Sequence, residues 1–258
     1  MQTYRRSYKL GLGLVLLFIS SITTMVSAAT ITFDARDGLP ITADSYTPLA
    51  ANAPLIVLFH QAGFSRGEYQ QIAPKLNQLG FNAIAIDLRA GKSALGVINQ
   101  TALAAKKTGL APRYTDALPD IIDSLEYARK QFPDARIIAW GSSYSAALVL
   151  KIAGDNPQLI DAVLAFSPGE YFARLGKSPS WIQDAAMNIQ APVFISSARD
   201  EAQQWASIYA AIKPTLRNSF IPVSAGKHGS KALWEQQPDN EAYWAAVTAF
   251  LRPFLSAP

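Results

Sequence analysis

A serine in a turn of small residues is the first candidate for chemistry in this sequence. Residues 137–140 are apolar, Gly141 and Ser145 stand two positions before and after Ser143, and an apolar, alanine-rich stretch follows. This order is typical of a buried strand that turns abruptly into a helix, where small residues at those two positions avoid a collision. A serine at the apex of such a turn can act as a nucleophile. The spacing from Gly141 favours Ser143 over Ser142 and Ser145, and the alternative interpretation is a helix N-cap.

Two histidines and several acidic residues could complete the chemistry of such a serine. A serine hydroxyl becomes a strong nucleophile when an imidazole takes its proton and a carboxylate orients that imidazole. His60 precedes the serine at the end of an earlier predicted strand, whereas His228 follows the last predicted strand, so His228 is the predicted base. Asp200 comes directly after a predicted strand and is the predicted carboxylate. Glu170 follows the preceding strand and Glu201 neighbours Asp200, so both remain alternatives.

Buried strands alternate with amphipathic helices along the chain. The predicted strands after the first hairpin cover 55–59, 82–87, 135–140, 159–166, 192–197 and 219–223, and the predicted helices cover 68–80, 114–132, 201–212 and 240–251. The segment from 93 to 113 is predicted to be irregular. The alternation indicates an α/β fold: a mostly parallel central sheet with helices on both faces and an antiparallel hairpin over 30–34 and 41–46. In such sheets functional residues gather at the C-terminal ends of the strands, where these candidates lie.

The order of these candidates resembles that of the α/β-hydrolase family over essentially the whole chain after residue 28. The motifs that carry the resemblance are His60-Gln61-Ala62-Gly63, the segment 87–93, the turn 141–145, Asp200 and His228. The chain order serine, acid, histidine is the one that this family uses, although the turn has serine where G-x-S-x-G has its last glycine. The size of the chain and its short excursion over 172–190 are similar to those of compact esterases and dienelactone-hydrolase-like members. The resemblance implies a triad of Ser143, Asp200 and His228.

The resemblance also implies an oxyanion hole made of two backbone N–H groups. Each such group aimed at the developing negative charge contributes about 3 kcal/mol to transition-state stabilisation. One donor is expected to be Tyr144, directly after the nucleophile at the positive end of a helix. The other is expected in the loop after the strand at 55–59, from Gln61 or Ala62. His60 is expected to brace that loop rather than to react.

The first 28 residues have the pattern of a secretory signal peptide. Arg5, Arg6 and Lys9 precede an apolar run over 10–19, and small residues over 26–28 offer a cleavage point. An uncleaved membrane anchor is the alternative, but the apolar run is shorter than the roughly 20 residues that a spanning helix needs. We therefore expect an exported protein, periplasmic or secreted, with a single α/β-hydrolase domain over 29–258.

Composition excludes several classes of function. The predicted mature chain keeps 20 of the 23 basic residues against 19 acidic ones, so its net charge near +1 gives no basis for binding nucleic acid, and stable membrane insertion after signal cleavage is not expected. The chain has no cysteine, which excludes disulfides, thiolate metal sites and lipid attachment at an N-terminal cysteine.

These observations predict a serine hydrolase that cleaves a small-molecule carboxylic ester through an acyl-enzyme, with no cofactor and no metal. One alternative is a hydrolase-like binding protein without turnover, and the complete set of three triad residues argues against it. Another is an acyltransferase or thioesterase on the same fold, which differs in the group that accepts or carries the acyl chain.

Overall fold

The structure, a computed structural model, describes residues 1, 3, 28–110 and 113–255, and this part of the chain contains ten strands and seven α-helices. The strands are β1 (Ala29–Asp34), β2 (Pro40–Tyr46), β3 (Leu55–Phe59), β4 (Asn82–Ile86), β5 (Ser93–Ala94), β6 (Val97–Ile98), β7 (Ile137–Ser142), β8 (Ala162–Phe166), β9 (Val193–Ser196) and β10 (Arg217–Phe220). The helices are α1 (Ile72–Gln78), α2 (Gln100–Lys107), α3 (Leu118–Gln131), α4 (Tyr144–Asp155), α5 (Trp181–Ala186), α6 (Ala202–Ala211) and α7 (Asn240–Leu251).

Eight strands form the central sheet in the order β1-β2-β4-β3-β7-β8-β9-β10. The pairs β1–β2 and β2–β4 are antiparallel, and every pair from β4 to β10 across the sheet is parallel. The predicted fold class is therefore confirmed, including the antiparallel hairpin at the start of the sheet. Parallel strands need crossover helices, which cover both faces and explain why the central strands are apolar throughout.

Alternate side chains of each central strand pack into two separate cores. In β3, Leu55, Val57 and Phe59 contact the layer of α3 and α4, whereas Ile56 and Leu58 contact the layer of α1 and α7. All five β3 side chains are fully buried. This period-two alternation fixes the register, because a shift of one residue would exchange the two layers. The register in turn fixes where each strand ends.

The C-terminal ends of the central strands lie side by side. Phe59 pairs with Gly141, Ser142 pairs with Phe166, and Phe166 pairs with Ser196. The loops that follow β3, β7, β8 and β9 therefore start from one edge of the sheet. The predicted site residues lie in these loops, at the first residue of α4 or in the segment after β10.

The segment from 93 to 113 differs from the prediction. It was predicted to be irregular, but it holds the short β5–β6 hairpin and α2. The α2 sequence, QTALAAKK, has no apolar stripe, so periodicity does not reveal it. Its start is fixed by the side chain of Asn99, which accepts a hydrogen bond of 2.7 Å from the Ala102 amide.

Two further predicted elements have different bounds. The predicted helix over 68–80 is a 3₁₀ turn (Arg66–Tyr69) followed by α1, and the predicted last strand lies at β10 instead of 219–223. The predicted signal peptide falls outside the described residues, apart from residues 1, 3 and 28. No helix among the described residues is long and apolar enough to cross a membrane.

Candidate active site

The turn between β7 and α4 holds Ser143 in a strained backbone conformation. Its φ is 60° and its ψ is −119°, a region that side-chain-bearing residues rarely adopt. A Cβ on Gly141 would lie 2.5 Å from the backbone nitrogen and Cα of Ala146, so only glycine fits there. We call residues 141–145 the elbow.

Ser145, which stands where the G-x-S-x-G pattern has glycine, stabilises the elbow through its hydroxyl. Its hydroxyl accepts a hydrogen bond from the Ser142 amide at 2.8 Å. It donates to the carbonyl of Phe59 at 2.7 Å, and the Ser142 carbonyl lies within 2.9 Å as a second acceptor. The hydroxyl therefore ties the elbow to the end of β3, which a glycine could not do.

His228 lies between a hydroxyl and a carboxylate. Its Nε2 is 2.8 Å from Oγ of Ser143, and its Nδ1 is 2.6 Å from Oε1 of Glu201. A carboxylate accepts the Nδ1 proton, which leaves Nε2 of the neutral ring as an acceptor for the serine hydroxyl. In this arrangement the imidazole can take the serine proton while the carboxylate stabilises the resulting imidazolium.

The carboxylate in contact with the histidine is that of Glu201. The prediction that Asp200 orients His228 is therefore wrong. Both residues lie in the single 3₁₀ turn Arg199–Glu201 after β9, and one residue of rotation in that turn separates them. Asp200 is exposed to solvent, whereas Glu201 turns toward the site. Sequence spacing cannot distinguish neighbouring acids in one turn, which is why Glu201 remained an alternative to Asp200.

Two groups fix the second oxygen of Glu201. Oε2 accepts hydrogen bonds from the hydroxyl of Ser167 at 2.7 Å and from the Ala198 amide at 3.3 Å. Burial acts to raise the pKa of Glu201, but the hydrogen bonds from His228 and Ser167 outweigh it and hold that pKa below its ordinary value. The acid is therefore ionised at neutral pH and available to an imidazolium.

The alternative acid, Glu170, has a different structural role. Its carboxylate accepts hydrogen bonds from the amides of Ile182 and Gln183, at 3.0 and 2.7 Å, in the first turn of α5. A carboxylate at this position stabilises the start of a helix. Tyr171 donates to the Ser167 carbonyl at 2.6 Å, and Trp181 packs edge-on against Phe172, so the excursion after β8 folds onto itself.

The predicted oxyanion donors differ in whether their backbone amide already has a hydrogen-bond partner. Tyr144 is the first residue of α4, where backbone amides lack partners within the helix. The Gln61 amide donates instead to Oε2 of Glu68 at 2.7 Å, away from the nucleophile, so the structure contradicts Gln61 as a donor. Ala62, the other candidate, is partly exposed, and its amide donates no backbone hydrogen bond within the described residues.

His60 braces the loop that carries these amides, residues 60–63, which we call the β3 loop. Its Nε2 lies 3.0 Å from the Leu88 amide, which can only donate, so Nε2 accepts and Nδ1 carries the proton. Nδ1 then donates to the Gln61 carbonyl at 2.8 Å. Burial of the ring lowers the pKa of His60, which keeps the imidazole neutral and preserves this pattern.

Glu68 is the residue near the site that sequence reasoning missed. It lies in the 3₁₀ turn after the β3 loop, is fully buried, and accepts a 2.7 Å hydrogen bond from the Ser142 hydroxyl in addition to that from Gln61. Burial raises its pKa from 4.5 to about 7, although both hydrogen bonds act in the opposite direction. Periodicity had assigned Glu68 to the start of an amphipathic helix, where glutamate is ordinarily exposed.

A cavity of about 540 Å³ opens beside His228 and Glu201, lined in addition by residues 198–200 and 225–227.

The polar groups after β4 lie elsewhere. Asp87 pairs with Arg66 at 2.6 Å, and Arg89 forms a buried pair with Asp120. These ion pairs connect the segment after β4 to the 3₁₀ turn after β3 and to α3.

A family model described as serine aminopeptidase, S33, matches residues 50–210. This range covers well over half of the chain and includes Ser143 and Glu201. The chain belongs to this family. As an S33-type hydrolase it has the α/β-hydrolase fold that the sequence order predicted, and the prediction of the family is confirmed. The match ends before His228, so the placement of the histidine comes from the structure alone.

Solved structures of several hydrolases are similar to this S33-type chain. An esterase from Pyrococcus furiosus has a TM-score of 0.66 and 18% identity, covering 90% of this chain and 94% of its own. A dienelactone hydrolase from Anabaena variabilis has a TM-score of 0.68 and 14% identity, covering 89% and 99%. Est1E from Butyrivibrio proteoclasticus, solved with ferulic acid bound, has a TM-score of 0.67 and 15% identity, covering 86% and 98%. A comparison with curated proteins finds no match. At these identities the similarity shows the shared fold.

The raised pKa of Glu68 predicts how stability changes with pH. A carboxyl with a pKa of about 7 when folded and 4.5 when unfolded favours folding below pH 4.5, and this contribution is lost as pH rises through 7. The difference in free energy of unfolding between Glu68→Gln and the unsubstituted protein should increase by about 3 kcal/mol from pH 4 to pH 8. Urea unfolding at a series of pH values measures it. The exposed Glu235→Gln is the matched control, and a flat difference for Glu68→Gln would contradict the prediction.

Proposed function

We propose that this hydrolase cleaves carboxylic esters through a covalent acyl-enzyme, with Ser143 as nucleophile. The observation that carries the proposal is the continuous hydrogen-bonded line from Ser143 Oγ through His228 to Glu201, at 2.8 and 2.6 Å. Nucleophile, base and orienting acid in this relation are the arrangement that serine hydrolases of unrelated folds share.

The reaction follows from the positions of the atoms. Ser143 Oγ attacks the ester carbonyl carbon, and its proton passes to Nε2 of His228, whose positive charge Glu201 stabilises. The carbonyl oxygen becomes an oxyanion, which the amides of Tyr144 and Ala62 stabilise. The tetrahedral intermediate then breaks its bond to the alkoxy oxygen, which leaves as an alcohol with the proton from His228. Water repeats the sequence on the acyl-serine and releases the carboxylic acid and the free serine.

The choice of an ester as substrate rests on similarity to proteins with known activities. The Pyrococcus and Anabaena proteins are described as an esterase and a dienelactone hydrolase. The family description names an aminopeptidase, which uses the same acyl chemistry on an amide. Side-by-side assays of p-nitrophenyl esters and amino-acid p-nitroanilides distinguish the two substrate classes, and preferential turnover of the anilides would contradict the proposal.

A fluorophosphonate should label the purified protein at Ser143. The phosphorus centre mimics the tetrahedral intermediate, so labelling requires an activated serine. Peptide mapping by mass spectrometry should find the adduct at Ser143 and none in Ser143→Ala, with Ser142→Ala distinguishing the adjacent hydroxyl. A folded protein that takes up no label would favour a binding protein without turnover.

Neighbouring substitutions should identify the acid that supports His228. Glu201→Gln replaces the acceptor of the Nδ1 proton and should lower kcat/KM by roughly 10³- to 10⁴-fold. Asp200→Asn makes the matching change one residue earlier on an exposed side chain and should stay within about twofold. Steady-state hydrolysis of a p-nitrophenyl ester measures both. A large loss in Asp200→Asn with little change in Glu201→Gln would return the role to Asp200.

We also propose that the protein is exported, on the basis of residues 1–28. The basic start, the short apolar run and the small residues before Ala29 support cleavage by a signal peptidase. Expression of the full chain in a Gram-negative host should give a periplasmic or secreted product whose N-terminus, read by mass spectrometry, is Ala29. An intact N-terminus on cytoplasmic protein would contradict this proposal.

A further inference from the structure

Glu68 is a fully buried acid whose direct hydrogen-bond partners are neutral. Its side chain has no exposed surface, and within the described residues its carboxylate forms no ion pair. Its oxygens accept from the Gln61 amide and the Ser142 hydroxyl, both at 2.7 Å. Burying a carboxylate without a cation in contact is unfavourable, so its presence here needs a reason other than stability.

The carboxylate joins three loops that meet at Ser143. One oxygen holds the β3 loop through Gln61, and the other holds the elbow through Ser142. The Ser142 hydroxyl also accepts a hydrogen bond of 2.8 Å from the amide of Ser230, two residues after His228. Glu68 is therefore linked directly or through one hydroxyl to the loops that carry Ala62, Ser143 and His228.

Glu68 and His60 together fix both peptide groups of Gln61. Glu68 holds the amide of Gln61, and His60 holds its carbonyl at 2.8 Å. That carbonyl belongs to the same peptide plane as the Ala62 N–H, which points the opposite way across a trans peptide. The chain has no cis peptide bond among its described residues. Fixing Gln61 on both sides therefore fixes the direction of the Ala62 N–H.

We propose that the ionised carboxylate of Glu68 is a positioning residue for the oxyanion hole, because it holds the β3 loop so that the Ala62 N–H faces the substrate oxygen. The proposal rests on the proposed function. Glu68 itself does not touch the reacting atoms. A hydrogen bond to a carboxylate is stronger than one to a neutral oxygen, so loss of the charge loosens the loop.

Four titratable groups face Glu68 from the surrounding elements. Lys231, and His228 when its ring is protonated, attract the negative charge of Glu68 and lower its pKa against the dominant effect of burial. Burial raises the pKa of the Tyr69 and Tyr144 hydroxyls, and the charge of Glu68 adds to both shifts. The carboxyl with a pKa of about 7 therefore changes charge near neutral pH.

Glu68→Gln keeps the size of the side chain and removes the charge. We expect kcat for a p-nitrophenyl ester to fall at least tenfold and KM to change less than about threefold, because the oxyanion hole acts mainly in the transition state. The decline of kcat/KM toward low pH should become shallower and move to lower pH, since one required ionisation has been removed. The fall in kcat is measured at pH 8, where the unsubstituted Glu68 is ionised.

Ser142→Ala tests the same proposal without touching the acid. The Ser142 hydroxyl lowers the pKa of Glu68, so its removal should raise that pKa and move the decline in activity to higher pH. This is the opposite direction from Glu68→Gln. It also supplies a result if Glu68→Gln does not fold. Glu170→Gln, whose carboxylate likewise accepts backbone amides, is the matched control and should keep the pH profile of the unsubstituted protein.

The outcomes separate this proposal from the proposed function. If the decline of kcat/KM toward low pH is unchanged in both Glu68→Gln and Ser142→Ala, Glu68 has only a packing role. This result would overturn the proposal, whatever the effect on kcat. Fluorophosphonate labelling of Ser143 and ester turnover by the unsubstituted protein would still support the hydrolase in that case. Absence of both in the unsubstituted protein would contradict the proposed function instead.

Discussion

The positive φ of Ser143 is the constraint on which the rest of the site depends. A side-chain-bearing residue in such a conformation costs on the order of 1–3 kcal/mol and persists only where surrounding contacts over-determine it. Here the Ser143 amide donates to the Phe166 carbonyl at 2.7 Å, and the Ser143 carbonyl accepts from Ala147 in the first turn of α4. One neighbour is in the strand β8 and the other in the helix α4, so the turn cannot relax without disturbing the sheet and that helix.

Serine hydroxyl groups form the hydrogen bonds that connect the loops around this turn. Ser145 ties the elbow to β3, Ser142 links Glu68 to Ser230, and Ser167 joins the Glu201 carboxylate to the Gly229 amide at 2.9 Å. A hydroxyl both donates and accepts, so each can join two loops that would otherwise leave buried groups unpaired. A chain without cysteine thereby obtains a rigid polar layer beneath its strand ends.

The features that were predictable from sequence are those with a repeating physical signal. β3 and α7 begin and end where their apolar patterns do, and the mostly parallel sheet follows from strand and helix alternation. The choice between Asp200 and Glu201 depends on the rotation of one 3₁₀ turn, which no period records. The exclusion of Gln61 as a donor depends on Glu68, whose burial arises only when the turn after β3 packs beneath the elbow. Such tertiary contacts have no local sequence pattern. The type of chemistry at the site was therefore predictable, but the acid beside His228 and the second oxyanion donor were not.

The hydroxyl of Ser145 also affects how the protein opens. Phe59, at the end of the central strand β3, accepts hydrogen bonds from both Ser145 and Tyr69. In proteins that unfold in local units, a loop opens separately when few buried bonds connect it to the sheet. The elbow has no such independence, because releasing it breaks bonds at the centre of the sheet. We therefore expect the candidate nucleophile to open together with the core and not with the surface loops.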